Sequence, residues 1–222
     1  MTTLAALLAF TAAATILTLT PGLDTALVLR TAMREGTRRA LLAGMGICAG
    51  CLVWGVLVAA GLGSLLAASQ LAYDILRLCG AAYLCYMGAQ LLWRSRTRRK
   101  ASTQAGAQAA SDMAGSLASA RDLTPLQWFL RGGLTNLLNP KIGVFYVTFM
   151  PQFVPAGVDV FTFTVLLATI HAALGVAWFA VLAAATQPLN RWLARPSVAR
   201  GLDRLTGVVF IAFGLKLELE RR

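Results

Sequence analysis

Six runs of this sequence hold one charged side chain between them, and that pattern decides the fold class before any motif is considered. They cover residues 4–26, 41–73, 78–93, 142–158, 160–190 and 205–215, and the lone charge is Asp24. A helix needs about 20 apolar residues to cross a ~30 Å hydrocarbon layer, and fewer when flanking side chains reach back to the interface. A soluble helix of such length carries a polar face, and these runs have almost none. Charged residues make up only 13% of the 222, against roughly a quarter in soluble domains. The expectation is an all-α integral membrane protein with six transmembrane helices, the sixth being the shortest run.

The formal charge of +11 invites a nucleic-acid reading, but the distribution of the basic residues argues against it. With the N-terminus outside and six crossings, the inner loops and helix ends collect most of them. These are Arg30, Arg34, Arg38 and Arg39, then the cluster from Arg94 to Lys100 with Arg121 and Arg131, then Arg191, Arg195, Arg200 and Arg204. The outer segments 1–29, 61–74 and 149–159 carry none. Such asymmetry is the positive-inside pattern that orients membrane helices during insertion. Lys216, Arg221 and Arg222 run against it at the far end. The partner implied is the lipid bilayer, with no nucleic acid. No basic segment precedes the first apolar run, so a cleaved signal peptide is not expected.

Three parts follow in order. Residues 1–93 form a first three-helix repeat, 94–125 a cytoplasmic flexible linker, and 126–222 a second three-helix repeat, all in one membrane domain. The linker opens on the basic cluster and continues in Ala, Ser, Gln and Gly, a composition that buries little. Arg77-Leu78-x-Gly80 recurs as Arg204-Leu205-x-Gly207. With three crossings per half, the second copy enters from the opposite side, giving two inverted repeats. Gly46-x-x-x-Gly50 in the second run is a small-residue pattern that lets helix backbones approach closely. Tight packing is its simplest reading.

The first and fourth helices are each broken, at Pro21 and Pro140. Paired Pro interruptions in corresponding places of two halves point to a transporter's binding site. Each break reads as a new helix start, with Thr20 or Asn139 as N-cap and the proline at the first helical position. Such starts offer free N–H groups and partial positive charge, which suit an anion. Asp24 follows within a turn. An intramembrane carboxylate is costly and ordinarily faces a wet cavity or a partner, so it is a candidate for binding an ammonium group and for proton coupling. The bland alternative is a carboxylate sitting on its own helix dipole. Lys141 is placed for a solute carboxylate or for Asp24, and Asn136, one turn before Asn139, for lining the same gap. Gly22 permits close backbone approach. Thr20, Pro21, Gly22, Asp24, Asn136, Asn139, Pro140 and Lys141 thus suit a small zwitterionic solute, with no cofactor and no metal required.

Thr20-Pro21-Gly22-Leu23-Asp24, Gly80-Ala-Ala-Tyr-Leu84, Thr135-Asn-Leu-Leu-Asn-Pro-Lys141 and Phe149-Met-Pro-Gln-Phe-Val154 together resemble the LysE/RhtB amino-acid exporter family. The resemblance covers nearly the whole chain outside the 94–125 linker. It implies six membrane helices, a bacterial inner-membrane location, and proton-driven export of amino acids or derivatives such as homoserine, threonine or leucine. The family's first motif usually reads Pro-Gly-Pro, and here Leu23 stands in place of the second proline. A homodimer is compatible with this reading.

Two rival functions have some support in the sequence. Cys48-x-x-Cys51 fits a membrane thiol–disulfide carrier, but the second half contains no cysteine, and reactive thiols need accessible, electropositive settings. A divalent metal-ion exporter could use His171 with the cysteines or Asp24, a thin ligand set. A lone His between apolar neighbours is more often a hydrogen-bonded packing residue. No phosphate-binding Gly-x-x-x-x-Gly-Lys run occurs, which disfavours ATP drive. No nucleophile–base pair supports an enzyme.

Overall fold

The computed structural model describes residues 2–68 and 123–184 continuously, with isolated helical residues between 78 and 93 and between 197 and 212. The third and sixth expected spans and nearly all of the 94–125 linker lie outside the continuously described residues. Among the described residues every regular element is helical. In chain order they are α1 (Thr3–Leu19), α2 (Leu23–Glu35), α3 (Thr37–Ala68), α4 (Pro125–Leu137), α5 (Pro140–Val144) and α6 (Val160–Ala184). A π-helical turn, Phe145–Phe149, and a 3-10 turn, Met150–Phe153, continue α5.

Residues Thr37–Gly61 of α3 and all of α6 are each long and apolar enough to cross a membrane, at 25 residues apiece. At 1.5 Å per residue each spans about 37 Å, more than the ~30 Å hydrocarbon layer. The pair α1–α2, bent by 51° at its break, counts as a third crossing if it is one span. Hydroxyls inside α1 are satisfied locally, as an apolar setting demands. Thr11, Thr15 and Thr18 each donate to the carbonyl four residues back at 2.7 Å.

Helix α3 lies between α4 and α6 and packs along both. Its crossing with α4 is set by glycines. A Cβ on Gly46 would run into the Phe129 carbonyl, and one on Gly132 into the Ala43 carbonyl. The backbones therefore touch directly, as the Gly46-x-x-x-Gly50 pattern suggests. Gly36, with φ of 90°, turns the chain sharply between α2 and α3, a conformation that suits glycine alone. Arg39 and Glu35 pair across that corner at 2.8 Å. Phe10, Phe145, Phe149 and Phe153 pack α1 against the 145–153 segment with ring centroids 5.0–5.9 Å apart. Helix α4 starts ahead of Arg131. Thr124 caps α4 through a reciprocal bond pair with Gln127, with Pro125 following it. Arg131 lies within α4, its guanidinium over the Trp128 ring at 5.3 Å.

Candidate functional site

The first break is not built as the sequence suggested. Thr20 ends α1 rather than starting α2: its N–H and its hydroxyl both donate to the Ile16 carbonyl, at 3.1 and 2.6 Å. Pro21 has no N–H with which to extend that ladder. Gly22 is fully extended, with φ −154° and ψ −165°, and takes the cap position without a side-chain bond. Leu23 is then the first helical residue, at the place where the family pattern carries its second proline. Asp24 sits in the opening turn of α2, where a carboxylate also interacts favourably with the helix dipole.

The second break follows the expected form. Asn139 accepts the Lys141 N–H on its side chain at 3.1 Å, and Pro140 occupies the first helical position. The Asn139 carbonyl accepts from Ile142 and Gly143, both at 3.0 Å. The chain turns within two residues and resumes as a helix.

The two breaks meet. Lys141 Nζ reaches across to the end of α1 and donates to the carbonyls of Leu17 and Thr20, at 3.1 and 3.0 Å. Those oxygens belong to a helix C-terminus, where carbonyls lack intrahelical partners and partial negative charge gathers. In the opposite sense, Asp24 Oδ2 accepts from Asn136 Nδ2 at 3.0 Å, and the same nitrogen lies 3.5 Å from Cys51 Sγ. Asn136 is completely buried and Asp24 is 8% exposed. Among the described residues, Asp24 Oδ1 and Asn136 Oδ1 are buried with no hydrogen-bond partner. Leaving such acceptors unmet costs about 1–3 kcal/mol each. A proton on the carboxyl or an ammonium group is the kind of donor that such oxygens accept.

Around these groups lies a small recess, open on one side. The breaks contribute Thr20, Gly22, Asp24, Asn139 and Lys141 to its wall, while α3 and α6 contribute Cys48, His171 and Gly175 among others. Five of the eight expected residues thus line one space. Asn136 sits behind Asp24, and Pro21 and Pro140 shape the breaks. The structure adds a buried pair, Tyr146 Oη and His171 Nδ1 at 3.1 Å. The π-helical turn brings Phe145, Tyr146 and Phe149 all into the interior, a register that helical periodicity alone does not give. Cys48 and Cys51 are buried free thiols. Among the described residues, no three of His, Cys, Asp and Glu converge as a metal-ligand set.

The family model described as "LysE type translocator" matches residues 15–221. The chain belongs to the LysE type translocator family. This makes the protein a membrane transporter of an amino-acid efflux family, not an enzyme. Three relatives illustrate the range to which the translocator is similar. It is 27% identical to a leucine efflux protein of Enterobacter sp. (strain 638), over 90% of this chain and 88% of the relative. It is 29% identical to a homoserine/homoserine lactone efflux protein of Salmonella typhimurium, over 96% of each. It is 28% identical to a threonine efflux protein of Escherichia coli (strain K12), over 91% and 92%. No solved structure matches the translocator.

Proposed function

We propose that this translocator exports amino acids or close derivatives across the bacterial inner membrane by proton antiport. The observation that carries the reading is the meeting of the two breaks in one recess, with a carboxylate and an ammonium drawn from opposite halves of the chain. Asp24 binds the solute's ammonium group, and between transport events it takes the proton instead. Either partner is a donor of the kind that the Asp24 and Asn136 oxygens accept. The solute's carboxylate is taken by Lys141 and by the N–H groups at the start of α2. The N-terminus lies outside, and six helices form two inverted repeats, so that alternating exposure of the recess moves the solute. Relatives in Enterobacter, Salmonella and Escherichia named for leucine, homoserine and threonine efflux support neutral amino acids as the solute class.

The test is efflux from proteoliposomes loaded with single labelled amino acids, with and without an imposed pH gradient. The wild type should release a subset of neutral amino acids faster when the exterior is made acidic, so that protons move inward as solute leaves. Asp24→Asn should remove the response to the gradient while inserting normally. Efflux by Asp24→Asn that still follows the gradient would refute the proton role.

A further inference from the structure

The recess has two unlike walls. The breaks form one, and it carries charge and backbone polarity. The other comes from α3 and α6 and includes Ile47, Cys48, His171, Gly175 and Phe179, with no carboxylate, lysine or arginine among the described residues. Two glycines give it its shape. A Cβ at Gly175 would stand 3.0 Å from Cys48 Sγ, tighter than most packed contacts, and at an ordinary 3.7 Å from the Phe179 ring. A Cβ at Gly44 would come within 2.9 Å of Phe179 Cβ, so Phe179 is seated against α3 by the lack of a side chain there. His171 supplies the polar feature. Its Nδ1 is engaged by Tyr146 Oη, and its ring packs against Phe145 and Tyr146 at 5.5 and 5.6 Å between centroids. Nε2 is then the ring's remaining polar atom.

Building on the amino-acid export reading, we infer that the α3–α6 wall is the pocket for the solute's side chain, with Gly175 setting its size limit and His171 Nε2 its one polar contact. The pocket takes neutral side chains, aliphatic or bearing a single hydroxyl. It rejects acidic and basic ones, which would bring an unpaired charge against Ile47, Cys48 and Phe179. Both residues determine specificity and leave coupling at Asp24 to the other wall.

The experiment ranks efflux of alanine, threonine, homoserine, leucine, lysine and aspartate from proteoliposomes holding the full chain. Gly175→Ala should lower leucine efflux by about tenfold or more, the effect of one methylene in an apolar pocket. Alanine efflux should stay within about threefold under the same reasoning. Cys48→Ala removes the atom nearest that added methyl and introduces no clash, so it should shift the ranking toward larger side chains. His171→Leu should depress threonine and homoserine relative to leucine, and His171→Gln should restore part of the difference. Rankings unmoved by all four variants, or a uniform loss across solutes, would overturn the pocket assignment while leaving amino-acid export standing. Wild-type vesicles inert toward every amino acid would instead overturn the export reading itself.

Discussion

Replacing Gly46 or Gly132 with alanine tests the geometry that holds α3 against α4. At each position the new methyl would overlap a backbone carbonyl, of Phe129 or of Ala43. A backbone oxygen cannot turn aside as the tip of a long side chain can. The helices must part by about 1 Å or more, because close-packed interiors hold no slack of that size. Overpacking of this kind costs about 1–3 kcal/mol and sometimes more, and a backbone-to-backbone clash belongs at the upper end. For a chain of 150–250 residues, each kcal/mol moves Tm by about 2–4 °C. Each single variant should therefore unfold roughly 6–12 °C below wild type in detergent, on the same scale. The double variant should be scarcely worse than the poorer single one. Both clashes are relieved by the same separation, so the penalties are coupled. Gly61→Ala is the control, since nothing lies within 4 Å of a Cβ there. The expected site effect is loss of the Asn136–Asp24 bond, because Asn136 rides on α4 against Gly50, where a Cβ would come within 2.7 Å of its Oδ1. Single variants within about 2 °C of wild type, or penalties that add in full, would refute direct backbone contact.

Two further outcomes follow from the cap and bridge geometry. Lys141→Met strands the carbonyls of Leu17 and Thr20 but also removes a costly charge, so the net loss should be about 1–3 kcal/mol. Thermal unfolding measures that loss, and efflux assays should show weaker selection for solutes bearing a carboxylate. Asp159 caps α6 by accepting the Thr162 N–H at 2.8 Å, and hydrogen bonds from the Thr162 side chain and then its N–H hold its carboxyl below the usual range. A lowered folded-state pKa gives stability that is present above the unfolded value and lost as pH falls through the folded one. Asp159→Ala should lower Tm at neutral pH, and the gap should close on acidification below the ordinary carboxylate range. A gap that persists at low pH would show that these hydrogen bonds are not its source.

Much of the site was legible because it depends on local chemistry. Asn-Pro after a helical run can do little but end one helix and cap another, and Asn139 does so. Thr-Pro-Gly was misassigned by a few residues for an equally local reason. Threonine can cap a helix start or bond back to the preceding turn, and Thr20 takes the second option because Pro21 and an extended Gly22 delay the restart to Leu23. The small-residue pattern at Gly46 and Gly50 gave the close packing but not its partner, which is a matter of how α3 and α4 cross. The pairing of Asp24 with Asn136 lay beyond sequence reasoning, since 112 residues separate them. The wall formed by Cys48 and His171 was hidden in the same way. Residue type alone offers a redox role for Cys48 and a metal or hydrogen-bonded packing role for His171; the bond to Tyr146 agrees with the packing reading, and both residues line the recess.

Lys141 keeps its ammonium occupied by two oxygens of the protein's own chain. Under the proposed role, a carboxylate arriving there would exchange with peptide carbonyls instead of stripping away bulk water, and on leaving would hand the cation back to them. Capture and surrender would then be nearly matched, and the grip loose. For a pump whose task is disposal, a weak hold is the useful one: cargo that clung would block the next cycle.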